Sequence, residues 1–208
     1  MKKLLTAIAA LALTAAGAFA QNLNISAGYI NSSNTRNSSI YHGFSLGANA
    51  EVYFSEYLGA TAGLHYSFLN NTKESSVGYG DYGASGKRST SEHYVTIPLH
   101  VAGRYEIING ITLFAHLGPA LNFGLASNTK YSGSVTGFGS SERKVNNYES
   151  GYYRRSDILL GGKLGVDLSG LKVFVGYYHG LLNRDKAESG ASDPYHRSEF
   201  QIGLGWAF

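Results

Sequence analysis

The stretch Lys163-Leu164-Gly165-Val166-Asp167-Leu168-Ser169-Gly170-Leu171-Lys172-Val173-Phe174-Val175-Gly176-Tyr177 decides the reading of this chain. Leu164, Val166 and Leu168 alternate with Gly165 and Asp167. Beyond Ser169-Gly170, Leu171, Val173, Val175 and Tyr177 alternate with Lys172, Phe174 and Gly176. A period of two marks a strand with two unlike faces. With Ser169-Gly170 as a two-residue hairpin loop, Leu168 falls opposite Leu171 and Asp167 opposite Lys172. The large aliphatic residues then share one side and the ions the other.

The same alternation recurs outward in both directions. It covers Leu23 to Tyr29, Phe44 to Val52, Leu58 to Phe68, Tyr94 to Tyr105, Ile111 to Leu125, Asp157 to Leu168, Leu171 to Tyr178 and Glu199 to Phe208. Glu51, Arg104, Asp157, Lys163, Asp167, Lys172 and Glu199 all fall in the polar phase, which is otherwise mostly Gly, Ser, Thr, Asn and Ala. A water-facing sheet would carry many more long charged side chains there. Small residues with a few ions of both signs suit the interior of a narrow barrel. The aliphatic face then meets lipid, and closure leaves no unpaired edge in hydrocarbon. The predicted fold is an all-β, eight-stranded, antiparallel, up-and-down transmembrane β-barrel.

Met1 to Ala20 has the plan of a secretory signal peptide, with Lys2 and Lys3, an apolar run from Leu4 to Ala16, and small residues before Gln21. Residues 21–208 are then one barrel domain. Without Lys2 and Lys3, 15 basic residues face 14 acidic ones, a balance that gives no footing for nucleic acid. The absence of cysteine excludes disulfides, thiolate metal sites and a catalytic thiol. No cofactor is expected. The anticipated partners are outer-membrane lipids, lipopolysaccharide in particular, and the barrel-assembly machinery during biogenesis.

Connections alternate in length. Residues 30–42, 70–92, 126–153 and 179–197 read as long loops, and 55–57, 108–110 and 169–170 as tight turns. That is the pattern of extracellular loops and periplasmic turns, with both termini periplasmic. At Asn109-Gly110 a three-residue loop, Ile108 to Gly110 with Gly110 left-handed, pairs Ile107 with Ile111 and keeps the faces consistent. Pro98 and Pro119 then lie at one level of adjacent strands and predict weakened pairing there.

Tyr94-Val95-Thr96-Ile97-Pro98-Leu99-His100, Leu117-Gly118-Pro119 and Gly176-Tyr177-Tyr178-His179-Gly180-Leu181-Leu182-Asn183 resemble the small outer-membrane β-barrel (porin family, PorT-like) proteins of Bacteroidota. Phe200 to Phe208 resembles a barrel-assembly signal ending in an aromatic. The resemblance spans Gln21 to Phe208. It implies the barrel fold and an outer-membrane location, and little about activity, because one fold hosts several functions.

Four candidate sites stand out. The seven inward charges read either as a salt-bridged plug or as a charge-lined conduction path. His65, His100 and His116 point inward from three consecutive strands and read as hydrogen-bonded lumen side chains, with no tight metal-ligand spacing. The third loop carries Lys130, Arg143, Lys144, Arg154 and Arg155 against Glu142 and Glu149, a candidate grip for lipopolysaccharide phosphates. His65-Tyr66-Ser67 resembles the His-x-Ser arrangement of outer-membrane lipid A deacylases, with Glu74 or Glu92 as the nearest acid. The reading is a non-enzymatic structural or surface-interaction protein. A narrow pore and a lipid-modifying enzyme are the alternatives.

Overall fold

The structure, a computed structural model, describes residues 22–35, 39–79, 82–135, 139–151, 153–185 and 194–208. The expected signal peptide, Met1 to Ala20, lies outside the described residues.

Among the described residues nine strands form: β1 (Asn22–Asn34), β2 (Ile40–Tyr53), β3 (Leu58–Tyr79), β4 (Tyr82–Ile108), β5 (Ile111–Val135), β6 (Gly139–Asn146), β7 (Ser156–Leu168), β8 (Leu171–Gly180) and β9 (Arg197–Ala207). Eight of them make the ring β1-β2-β3-β4-β5-β7-β8-β9. Antiparallel β1–β9 pairing, with Ala27 opposite Leu204, closes it. The eight-stranded antiparallel barrel is thus the fold. Phe208 N donates to Leu23 O at 2.8 Å, so both ends of the described chain lie at the tight-turn end.

Burial is inverted relative to a water-soluble sheet. Val101, Leu117 and Leu164 are about 60% exposed (60%, 61% and 59%), whereas His100, Ala102 and Lys163 on the other phase are buried. An apolar outer band this complete has no aqueous rationale. Inside, Phe114, Phe174 and Tyr178 are buried and fill the bore between the small residues.

Two expected loops are largely strand. β3 and β4 pair out to Tyr79 opposite Tyr82, and β4 and β5 to Ala84 opposite Val135. β6 then adds to β5 from Asn128 opposite Asn146 to Val135 opposite Gly139. These strands of 22, 27 and 25 residues far exceed the nine to eleven that span a bilayer. Their outer parts, with β6, form a four-stranded crown beyond the ring. Hydroxyl pairs such as Ser85 with Ser134 (2.8 Å) and Thr90 with Thr129 (3.0 Å) tie it across strands.

The Ser169-Gly170 hairpin pairs Leu168 with Leu171 and Asp167 with Lys172, and both loop residues have positive φ (53° and 101°), as the mirror-image turn requires. The Asn109-Gly110 turn differs from expectation. Ile108 rather than Ile107 stands opposite Ile111, and a register shift between Glu106 and Ile108 takes up the extra residue. Gly110 is left-handed (φ 83°), and Glu106 still meets Thr112, so the faces are preserved by a bulge beside the turn.

A second shift exchanges the two faces of β5 partway along its length. Tyr94 lies opposite Gly124, but His93 lies opposite Ala126, so Leu125 is an extra residue in β5. Below it, odd-numbered positions of β5 face outward. Above it, Asn128 and Lys130 do, while Ser127 and Thr129 turn inward and are buried. At the prolines, the β4–β5 ladder runs from Pro98 opposite Ala120 to Val101 opposite Leu117, with Leu99 and His100 unladdered between.

Candidate functional site: a filled lumen and an exposed basic face

At the tight-turn end the lumen is closed by ions. Lys172 Nζ lies 2.8 and 3.0 Å from the two oxygens of Glu51. Asn24 Nδ2 donates to Glu51 Oε1 at 2.7 Å, and Tyr53 OH to Oε2 at 3.2 Å. His116 Nε2 stands 3.5 Å from the same carboxylate. Asn49 extends the chain inward, donating to Asn24 Oδ1 (3.1 Å) while its own Oδ1 meets His65 Nε2 (2.8 Å). Below this plug opens a vestibule of about 420 Å³, walled by Tyr53, Glu56, Arg104, Asp167 and Lys172 among others.

Not every inward charge joins an ion pair. Asp167 faces Lys172 in register, yet its Oδ1 accepts from Gly170 N at 2.7 Å and caps the turn. Arg104 stacks 3.9 Å over the Tyr53 ring and donates to Glu56 O at 3.0 Å. Lys163 sits 4.6 Å from the Phe174 ring centroid, with no carboxylate in ion-pair range among the described residues. Asp157 Oδ1 accepts from Ile158 N (2.8 Å) and Leu182 N (3.1 Å), a backbone clasp rather than a charge pair. The salt-bridged plug therefore consists of Glu51 and Lys172 at one end and Arg197 and Glu199 near the other.

Mid-lumen, the described residues leave a cavity of about 10 Å³ between His65, Ser67, Lys163, Tyr178, Glu199 and Gln201. That is the room of a single water molecule. His100 stacks on Tyr178 at 5.7 Å. Among the described residues no group of three or more His, Cys, Asp or Glu could hold a metal ion.

The long-hairpin end has a second plug that the sequence reading missed. Arg184, from the segment after β8, is buried, with Nη2 2.5 Å from Tyr94 OH and 3.5 Å from Glu92 Oε2. Its guanidinium lies over the rings of Tyr94, Tyr153 and Tyr195 at 5.4 to 5.7 Å. Glu92 also accepts from Tyr94 OH and from Ser127 Oγ (3.3 Å). Arg197 adds a second cation 4.0 Å over Tyr94. Burial pushes the Tyr195 hydroxyl well above its ordinary pKa, against the opposing pull of Arg184, so it stays a neutral ring in this cage. Glu92 and Tyr94 lie in the inward phase of their strand, a usable signal. Arg184 lies in a polar segment with no periodicity, which gave none.

A family model described as outer membrane protein beta-barrel domain matches residues 10–185. The chain belongs to that family. As an outer membrane barrel it is similar in fold to solved structures at low identity. Ail, the attachment invasion locus protein of Yersinia pestis, crystallised with the heparin analogue sucrose octasulfate, is 17% identical, with 90% of this chain and 98% of Ail covered at a TM-score of 0.39. Neisserial surface protein A is 14% identical (89% and 97% covered, TM-score 0.42). OprG of Pseudomonas aeruginosa is 10% identical (91% and 96% covered, TM-score 0.43). No curated protein matches the chain in sequence.

On the outside of this outer membrane barrel, three histidines that are not among the candidate site residues pair at the upper rim of the apolar band. Tyr29 OH meets His42 Nδ1, Tyr66 OH meets His93 Nδ1 at 2.6 Å, and His179 Nδ1 meets Ser198 Oγ at 2.9 Å. Rings with a polar tip suit a headgroup boundary.

The five candidate basic residues do not form one cluster. Lys130 and Lys144 are directly opposite on β5 and β6, facing outward, and Lys130 also pairs with Glu142. Arg143 lies on the opposite face, in register with Tyr131 and Arg88. Arg154 and Arg155 are exposed between β6 and β7, with Arg155 5.0 Å over the Tyr148 ring. His65 and Ser67 are both buried in the lumen. His65 is held by Asn49, Glu92 by Arg184, and the exposed Glu74 by Lys87 at 2.7 Å, so neither of these two acids orients the histidine.

Proposed function

We propose that this outer membrane barrel works from its surface, as a non-enzymatic structural or adhesive element whose lumen does not conduct. The observation that carries the reading is the filled bore. Buried ion pairs occupy it near both ends, and among the described residues the mid-lumen cavity beside His65, Lys163 and Gln201 has room for one water. An eight-stranded barrel has an interior just wide enough for side chains.

The tight turns and both termini face the periplasm, and the crown stands outside the cell, following the usual asymmetry of loop length in such barrels. The partners are outer-membrane lipids, with lipopolysaccharide phosphates held by basic residues among Lys130, Arg143, Lys144, Arg154 and Arg155, and the barrel-assembly machinery during biogenesis. Within the family, the short motifs around Thr96-Ile97-Pro98 and Gly176 to Asn183 favour kinship with the PorT-like porin-family barrels of Bacteroidota. The burial of His65 and Ser67, and the engagement of Glu74 and Glu92 elsewhere, speak against lipid A deacylation.

Single-channel recording of the refolded chain in planar bilayers tests the filled bore. The expected result is an absence of discrete openings in molar potassium chloride. Regular openings would replace this reading with the narrow pore.

A further inference from the structure

We infer that the outward face of the crown where β4, β5 and β6 leave the apolar band is a binding site for a phosphorylated lipid headgroup, centred on Lys130 and Lys144. The inference deepens the lipid-contact reading above and rests on it. Register builds the site. Ser91, Asn128 and Asn146 stand in one row across the three strands, and Ser89, Lys130 and Lys144 in the next row on the same face. Directly opposed residues have Cβ atoms about 5 Å apart, and same-face neighbours along a strand lie about 7 Å apart. Two ammonium groups and several hydroxyl and amide donors therefore share a patch the size of one phosphate ester.

The charge pattern calls for an anion. Like charges directly opposite across a ladder repel. Glu142, one row further out, offsets only one of the two lysines, through an exposed pair with Lys130. Such a pair is weak and yields to a competing anion.

Placement selects a lipid as the source. Immediately below, on the same face, Leu121, Phe123, Leu125, Val95 and the Tyr66–His93 pair form the upper edge of the apolar band. A phosphate gripped by Lys130 and Lys144 hangs its acyl chains onto those residues. The arrangement depends on the extra residue at Leu125, since without that shift Lys130 would point into the crown's inner face. Arg143 points to that inner face and takes no part.

The test uses the folded chain in detergent micelles with bisphosphorylated lipid A or its dephosphorylated form, and reads bound lipid by native mass spectrometry. Heat-dependent electrophoretic mobility shows that each variant is folded. The wild type should retain the bisphosphorylated form at least tenfold better. Lys130→Gln/Lys144→Gln should abolish that preference, while Lys130→Arg/Lys144→Arg and Arg143→Gln keep it. Preference persisting in Lys130→Gln/Lys144→Gln overturns the site; if it is lost instead in Arg154→Gln/Arg155→Gln, the lipid-contact reading stands without this site. Equal retention of both lipid forms by the wild type overturns phosphate recognition. Retention of neither overturns the lipid-contact reading as well.

Discussion

Lys172 on β8 reaches across the lumen to both oxygens of Glu51 on β2, at 2.8 and 3.0 Å, rather than to Asp167, its neighbour in register. Asp167 is engaged at the turn, and Glu51 already collects donors from Asn24 and Tyr53. A carboxylate so buried needs a compensating cation.

Replacing Lys172 with methionine should destabilise the barrel by about 3–5 kcal/mol, because Glu51 is left buried and unpaired. The double variant Glu51→Gln/Lys172→Met should recover most of the loss. Urea unfolding followed through the single Trp206 reads both. Equal losses would show that the two side chains act independently.

The lipid-facing band has its own test. Leu164→Arg, at a position 59% exposed near mid-span, should cost roughly 2–4 kcal/mol in bilayers. Val77→Arg, also exposed but on the crown, should fall within about 0.5 kcal/mol of wild type. Indistinguishable stabilities would remove the outward-facing membrane assignment.

Close backbone approach constrains particular glycines. A Cβ on Gly161 would sit 2.0 Å from Tyr177 O, and one on Gly43 1.8 Å from Phe68 O, whereas on Gly133 the nearest atom is 3.7 Å away. Gly161→Ala and Gly43→Ala should each lose about 1–3 kcal/mol by overpacking. Gly133→Ala should be near neutral. The ranking is checked by heat-modifiable gel shift.

The crown carries a titratable pair outside the membrane. A hydrogen bond and charge attraction from Lys87 hold the Glu74 carboxyl below its ordinary value of 4.5. The contribution is therefore present above that ordinary value and fades as pH falls through the lowered one. Both residues are exposed, so salt should weaken it too. In a titration followed by carbon NMR, Lys87→Ala should return Glu74 toward 4.5; an unmoved midpoint would sever the pair.

Arg184 ties the segment after β8 into the upper plug and, through its carbonyl, holds Arg154 N at 2.8 Å. Arg184→Ala removes hydrogen bonds from a charged donor, each worth about 1.5–3 kcal/mol, so local opening should rise by roughly tenfold or more. Trypsin cleavage after Arg154 and Arg155 tracks that open population. Unchanged cleavage would mean that Arg184 anchors nothing outside the lumen.

Alternation made the ring legible because each of its strands has one face in lipid and one in the bore. It failed for the crown, where both faces meet water: Ser75 to Val77 and Ser132 to Val135 carry no contrast between phases, and ladder hydrogen bonds leave no mark in side-chain pattern. The bulge at Leu125 leaves no mark, since the contrast between phases fades just beyond it; the break in phase near Ile107 is visible, but alternation does not distinguish a longer turn from a bulge beside it. For the lumen, the inward charges were readable one strand at a time. Which ion meets which depends on distances across the bore, and β2 and β8 are 121 positions apart at Glu51 and Lys172.

β5 is shared: its lower half pairs with β7 and completes the ring, while its upper half pairs with β6. The crown can consequently lengthen, shorten or change sequence without disturbing the closure that keeps the protein in its membrane. Insertions of two residues per strand would carry every side chain to the side it already occupies. A single-residue insertion would exchange the two faces of the one strand that receives it, as the extra Leu125 does in β5, so part of the surface shown to the environment can be rewritten in one genetic step while the anchor below stays the same.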